Sequence, residues 1–96
     1  MKITNDLADR IYKRYPYPSP WWSKTHYEKR CTEIYAAEQA LLRCMEAPFE
    51  DPANIIEGYI FELTVARKNN DNIKVSSSLN IMINTLEELY NYLKVK

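Results

Sequence analysis

The chain has 96 residues, of which 46% are hydrophobic and 27% charged, so it is one globular domain rather than a disordered segment. Its 13 basic and 13 acidic side chains give a net charge of zero, which excludes a global attraction to nucleic acid or membranes. The charge is nevertheless uneven. Residues 1–30 have seven basic and three acidic side chains (+4), residues 31–66 have one and seven (−6), and residues 67–96 have five and three (+2). The first two regions either recognise a partner or attract each other.

The first predicted element is a short helix over residues 4–14. Ile3, Leu7 and Ile11 recur every four residues and make one apolar face. Thr4 and Asn5 are residues that commonly cap helices, and the segment ends in basic side chains followed by a proline.

A longer helix is predicted over residues 24–46. Its apolar stripe has spacings of three and four: Tyr27, Cys31, Ile34, Leu41, Leu42 and Met45. Two N-caps compete. Thr25 with Glu28 fits a capping box, whereas Ser23 would make Trp22 and Tyr27 a hydrophobic staple. Glu38 falls within the stripe, and we interpret it as structural, bonded to a tyrosine hydroxyl or reaching the edge of the interface.

The third helix is predicted over residues 52–69, where Asp51 is a good N-cap and Pro52 occupies the favoured first position. Its main apolar face is accompanied by a second strip of Gly58, Phe61 and Val65. Because the preceding turn is short, we expect the second and third helices to form an antiparallel hairpin.

The last helix is predicted over residues 78–94. Leucines and a methionine keep an unbroken three-four spacing there, although residues 79–84 also alternate like a strand, which leaves the structure of residues 73–84 open. The sequence therefore predicts an all-α protein: a small bundle of three longer helices and a short N-terminal one, in a single domain over residues 1–96.

Few residues are suited to catalysis or metal binding. His26 is the one histidine, and Cys31 and Cys44 lie about 20 Å apart on one predicted helix, too far for a disulfide. No metal-binding, nucleophile or phosphate-loop motif occurs, so we expect no metal, no cofactor and no enzymatic activity. Free thiols indicate a cytoplasmic protein, and neither a signal peptide nor a membrane-spanning segment is expected.

The sequence YPYPSPWW at residues 15–22, called here the aromatic segment, concentrates prolines and large aromatic rings. It lacks the P-x-x-P and P-P-x-Y patterns of proline-rich ligands. Flanking lysines and arginines would suit a nucleic-acid platform, but the acidic middle of the chain opposes a long phosphate backbone. We favour a latch, in which the segment crosses the helices and buries its tryptophans against them.

The resulting functional hypothesis is a non-enzymatic protein-interaction module that self-associates as a homodimer, because the third and fourth helices have apolar residues on more than one side. The predicted partner-binding residues are Tyr17, Trp21, Trp22, Phe61, Val65, Ile81 and Tyr92. One alternative is a nucleic-acid-binding protein that uses residues 10–30. Another is a phage or mobile-element accessory protein that inhibits a host nucleic-acid enzyme through an acidic surface of Glu46, Glu50, Asp51 and Glu57.

Overall fold

The computed structural model describes residues 2–95, and the side chains of residues 5–95. Over this part of the chain there are four α-helices: α1 (Lys2–Arg14), α2 (Lys24–Glu46), α3 (Pro52–Lys68) and α4 (Ile73–Val95). No strand occurs within residues 2–95. The predicted all-α bundle is therefore confirmed.

Helix α1 begins at Lys2, before the predicted start at residue 4, so Thr4 and Asn5 lie inside the helix rather than capping it. Its apolar face is confirmed by Leu7 and Ile11, which are almost completely buried. The side chain of Ile3, predicted for the same face, lies outside the described residues. Packing of this face against the bundle stabilises a segment too short to be helical alone.

Side-chain caps set the starts of α2 and α3. Ser23 caps α2, because its Oγ accepts a hydrogen bond from the backbone N–H of His26 at 3.4 Å, which decides between the two candidate caps. Asp51 caps α3 as predicted, since its Oδ1 accepts a hydrogen bond from the backbone N–H of Ala53 at 3.0 Å. Helix α3 ends at Lys68, one residue before the predicted end.

Helix α4 begins at Ile73 rather than at residue 78, and the reason is a cap that the sequence analysis missed. The Oδ1 atom of Asn72 accepts hydrogen bonds from the backbone N–H groups of Lys74 at 2.9 Å and Val75 at 3.3 Å. The strand-like residues 79–84 consequently lie inside a helix, with Ile83 buried. The three-four apolar spacing therefore decides the structure of this segment.

The closest packing is between α3 and α4, followed by that between α2 and α4. Helices α2 and α3 also contact each other across their short turn, but less extensively than the predicted hairpin suggests. The fully buried alanines 36, 37 and 40 bring α2 close to its neighbours. The largest completely buried side chains come from α1, α3 and α4: Leu7, Ile11, Ile56, Leu86 and Leu89.

Arg43 links α2 to α3 at the edge of this core. Its guanidinium donates hydrogen bonds to both carboxylate oxygens of Glu62, at 2.7 and 3.4 Å, and lies 3.9 Å from the ring centroid of Tyr59. The hydrogen bond to Glu62 raises the pKa of Arg43 and lowers that of Glu62. Both side chains reach solvent, so the pair fixes the geometry of the contact more than it stabilises the fold.

Candidate functional site

The aromatic segment is attached to the bundle at its beginning. Tyr15 is only 3% exposed, and its hydroxyl donates a hydrogen bond to Oε2 of Glu88 on α4 at 2.8 Å. Pro18 is buried, and the carbonyl of Pro16 accepts a hydrogen bond from Nη1 of Arg30 at 2.9 Å. Tyr15, Pro16 and Pro18 thus attach the segment to the bundle.

Glu88 joins the aromatic segment, α1 and α4. Nε of Arg14 donates a hydrogen bond to its Oε1 at 2.5 Å, and Nη2 of Arg10 lies 3.6 Å from the same oxygen. Partial burial opposes ionisation of Glu88, but the hydrogen bonds from Tyr15 and Arg14 outweigh burial and hold its pKa below the ordinary value. Burial, reinforced by Glu88, raises the pKa of Tyr15, so its hydroxyl remains a donor.

The other three aromatic side chains of the aromatic segment are exposed to different extents. Tyr17 and Trp21 are strongly exposed, Trp21 at 87%, and Trp22 is exposed at 39%. The predicted burial is therefore wrong for Trp21, whereas Trp22 is partly buried beside Arg30. The backbone N–H of Trp22 donates to the carbonyl of Ser19 at 3.1 Å, and this turn leaves the Trp21 indole in solvent and the Trp22 indole beside Arg30 of α2.

An open cleft of about 690 Å³ lies beside Trp22, and we call it the basic cleft. Its lining residues come from α1, the end of the aromatic segment and the first turns of α2: Arg14, Trp22, Ser23, His26, Lys29, Arg30 and Glu33. The Arg30 guanidinium lies 5.3 Å from the Trp22 ring centroid, and its Nε donates to Oε1 of Glu33 at 3.1 Å. Ser23 Oγ and His26 Nδ1 are hydrogen-bonded at 2.7 Å. The cleft thus combines an indole with three permanent cations and one carboxylate.

Exposed apolar and acidic side chains occur together at the opposite end of α2. Leu42 and Met45 are about half exposed, and Phe49 in the following turn is fully exposed. Glu46 and Glu50 are exposed beside them. Residues 42–51 are called here the acidic end, and residues 17–30 the basic end. The two are separated by the length of α2, about 33 Å between residues 24 and 46.

The remaining predicted partner-binding residues divide into two groups. Phe61 and Val65 are exposed on α3, so this second apolar strip is available to a partner. Ile81 and Tyr92 on α4 are only partly exposed. They belong to a stripe that also contains Glu88 and the buried Thr85, and the Arg10 guanidinium lies 5.0 Å from the Tyr92 ring centroid. At Glu88 and Tyr92 this stripe contacts arginines of α1, which makes that part of it less accessible than the sequence suggested.

The acidic residues also differ from expectation. Glu57 and Asp51 are exposed, and Asp51 is occupied as the cap of α3. Glu38 is partly exposed, with no hydrogen bond to a tyrosine hydroxyl among the described residues. Glu88, which sequence reasoning overlooked, is the carboxylate bonded to such a hydroxyl. Arg10 and Arg14, four residues apart on one face of α1, were the sequence signal that an acidic partner was needed.

The thiols and possible metal ligands are dispersed. Cys31 is exposed and Cys44 buried, and burial, with a contribution from nearby Asp51, raises the pKa of Cys44 to about 11. Residues 5–95 contain no group of three metal-ligating side chains, and no helix in the described chain is long and apolar enough to span a membrane.

Comparison of the chain with protein-family models, curated proteins and solved structures found no match.

Proposed function

We propose that the protein is a non-enzymatic protein-interaction module that self-associates head to tail, the basic end of one copy binding the acidic end of the next. The observation that carries this proposal is the position of opposite charges, each beside exposed aromatic or apolar side chains, at the two ends of α2. Two antiparallel copies that make this contact reciprocally form a closed dimer, and repeating it from one copy to the next produces a ring or an open chain.

Charge complementarity supports a second copy as the partner. In the described part of the chain, the cations of residues 10–30 pair with Glu28, Glu33 and Glu88, and none pairs with Glu46 or Glu50. Arg30 and Glu33 pair across the two regions, but Glu46 and Glu50 have no basic partner from residues 10–30 within one copy. A second copy presents the missing charge, whereas an isologous contact between two acidic ends would bring like charges together.

Exposed aromatic rings support the same contact energetically. Association would remove exposed apolar surface from water at Trp21 and Tyr17 of the basic end and at Phe49 of the acidic end. Aromatic anchors surrounded by a charged rim are the usual arrangement of residues that dominate binding energy. Phe61 and Val65 would extend the apolar surface on α3 if the contact spreads beyond the turn.

Light scattering during size-exclusion chromatography, over a concentration series and at low and high salt, tests the proposal. We expect a mass above that of one chain at high concentration, which falls on dilution and on addition of salt. Trp21→Ala and Phe49→Ala should each reduce the mass, whereas Val95→Ala, an exposed apolar residue at the end of α4, should not.

A monomer at every concentration would contradict self-association. The inhibitor hypothesis predicts that result, together with capture of a host nucleic-acid enzyme through the acidic end. An oligomer unaffected by salt and by both aromatic substitutions would show that another surface mediates the contact, and would also contradict the head-to-tail proposal.

A further inference from the structure

The basic cleft has the composition of a site for an anionic ligand. Arg14, Lys29 and Arg30 contribute three positive charges and Glu33 one negative charge, so the lining carries +2 before His26 is considered. Glu88, just outside the lining, offsets part of the Arg14 charge through their hydrogen bond. The volume of the basic cleft, about 690 Å³, lies within the range of pockets that bind small-molecule ligands.

Hydrogen-bond donors remain available in the cleft. The ammonium of Lys29 is exposed and makes no ion pair with any described residue. Arg30 uses Nε for Glu33 and Nη1 for the Pro16 carbonyl, and Arg14 uses Nε for Glu88. Each guanidinium therefore holds a fixed position while keeping a terminal nitrogen for another acceptor. Guanidinium groups held by hydrogen bonds beside an exposed lysine are well suited to phosphate oxygens.

Trp22 adds a surface for a planar group. Arg30 lies near the indole ring, and the side chain is 39% exposed next to the cleft. Any nucleobase can stack on an exposed aromatic ring, while nearby cations bind the attached phosphate. A ligand that uses both features carries a phosphate and a planar ring in one molecule.

We propose that the basic cleft binds a nucleotide, with its phosphate on Lys29, Arg30 and Arg14 and its base on Trp22. The nucleotide is either free or one unit of a short single strand, since both present the same chemistry. The charge of −6 on residues 31–66 opposes contact with a long polyphosphate backbone. The site does not depend on self-association, although Lys29 and Trp22 belong to the basic end and nucleotide would compete with a second copy there.

Isothermal titration calorimetry on the full chain at ~50 mM salt tests the proposal. The titrants are AMP, ATP, inorganic phosphate and a single-stranded DNA of about ten nucleotides. The titrations are run on the wild type and on Glu46→Lys/Glu50→Lys, which keeps the cleft but removes the acidic end. Nucleotide binding by the double variant without self-association of the wild type would uphold this inference while the proposed function fails.

Two matched pairs of variants locate the binding. Lys29→Glu should weaken nucleotide binding by at least about tenfold, because a charge-assisted hydrogen bond is replaced by repulsion, and Lys68→Glu on α3 should not. Trp22→Ala should weaken nucleotide but not phosphate binding, whereas Trp21→Ala should affect neither. Circular dichroism checks that each variant is folded.

The titrations distinguish a free nucleotide from single-stranded nucleic acid as the ligand. Tighter binding of the oligonucleotide than of AMP or ATP would support the site and indicate single-stranded nucleic acid. Binding of the mononucleotides alone would support it with a free nucleotide as ligand. Absence of binding, binding that Lys29→Glu leaves unchanged, or inorganic phosphate bound as tightly as AMP would overturn the assignment.

Discussion

The hydroxyl of Tyr15 donates a hydrogen bond to Oε2 of Glu88 at 2.8 Å, joining the beginning of the aromatic segment to α4 across 73 residues of sequence. Tyr15 is buried, while Tyr17 and Trp21 shortly after it are strongly exposed. The same segment is therefore both a structural attachment and a binding surface. Its attachment at Tyr15 and Pro18 determines where its exposed rings are presented.

Removal of the Tyr15 hydroxyl should destabilise the fold. We expect Tyr15→Phe to lower the free energy of unfolding by about 1 to 2 kcal/mol, because a buried hydrogen bond to a charged acceptor is lost while the ring remains packed. Chemical denaturation measures this difference. Tyr12→Phe is the matched control on α1, since Tyr12 is 60% exposed, and its unfolding midpoint should equal that of the wild type. Equal midpoints for both variants would show that the bond contributes nothing.

The contribution of Glu88 should depend on pH. Its pKa is lower in the folded protein than in the unfolded chain, so its stabilisation is fully present above the unfolded value and is lost as pH falls through the folded one. Glu88→Gln should therefore be less stable than the wild type at neutral pH, by about 1 to 2 kcal/mol. The difference should shrink below about pH 4.5.

Denaturation of the wild type and Glu88→Gln at several pH values checks this expectation. Glu62 responds to acid in the same direction, so the informative quantity is the difference between the two proteins rather than either curve alone. Glu87→Gln is the control, because Glu87 is the exposed neighbour. A difference that is constant from neutral to acid pH would refute the role given to the Glu88 carboxylate.

The start of α4 provides a test of its cap. Asn72→Ala should lower the free energy of unfolding by about 1 kcal/mol, since two backbone N–H groups lose their acceptor. Asn84→Ala, at an exposed position inside the same helix, should instead be neutral or slightly stabilising, because alanine has the higher helix propensity. The opposite order of the two variants in thermal unfolding would rule out Asn72 as the cap.

The two cysteines should differ in reactivity. Cys31 is exposed, whereas Cys44 is 2% exposed and has a pKa of about 11, so its reactive thiolate is scarce at neutral pH. A thiol-specific chromogenic reagent should label Cys31 alone in the native protein, and both cysteines in denaturant. Cys31→Ser should abolish native labelling. Rapid native labelling of Cys44 would show that the α2–α3 turn opens readily.

Local signals predicted much of the fold. The ends of α2 and the start of α3 were predicted from side-chain caps and apolar spacing. Both signals come from residues that are close together in the sequence. The predicted start of α4 was wrong because Asn72 lies in a run of polar residues that is typical of a loop between helices. Its role as a cap depends on the backbone that follows it.

The surfaces were harder to predict because their contacts are not local. The role of Glu88 could not be predicted, since its partners Arg14 and Tyr15 lie more than 70 residues earlier in the sequence. The exposure of Trp21 depends on the turn closed between Ser19 and Trp22, whereas composition alone suggested burial. The convergence of Arg14, Trp22 and Lys29 around one cleft likewise requires the placement of α1 against α2.

Mixing two charge-reversed variants tests head-to-tail association most directly. Lys24→Glu/Lys29→Glu makes both ends acidic, and Glu46→Lys/Glu50→Lys makes both ends basic. Acidic residues at the start of α2 and basic residues at its end are favoured by the helix dipole, and the capping Asp51 is left intact, so both variants should fold.

Sedimentation velocity measures each variant alone and in a 1:1 mixture. We predict monomers for each alone and restored association in the mixture. Association of either variant alone to the wild-type extent, or a mixture that stays monomeric where the wild type associates, would contradict the account.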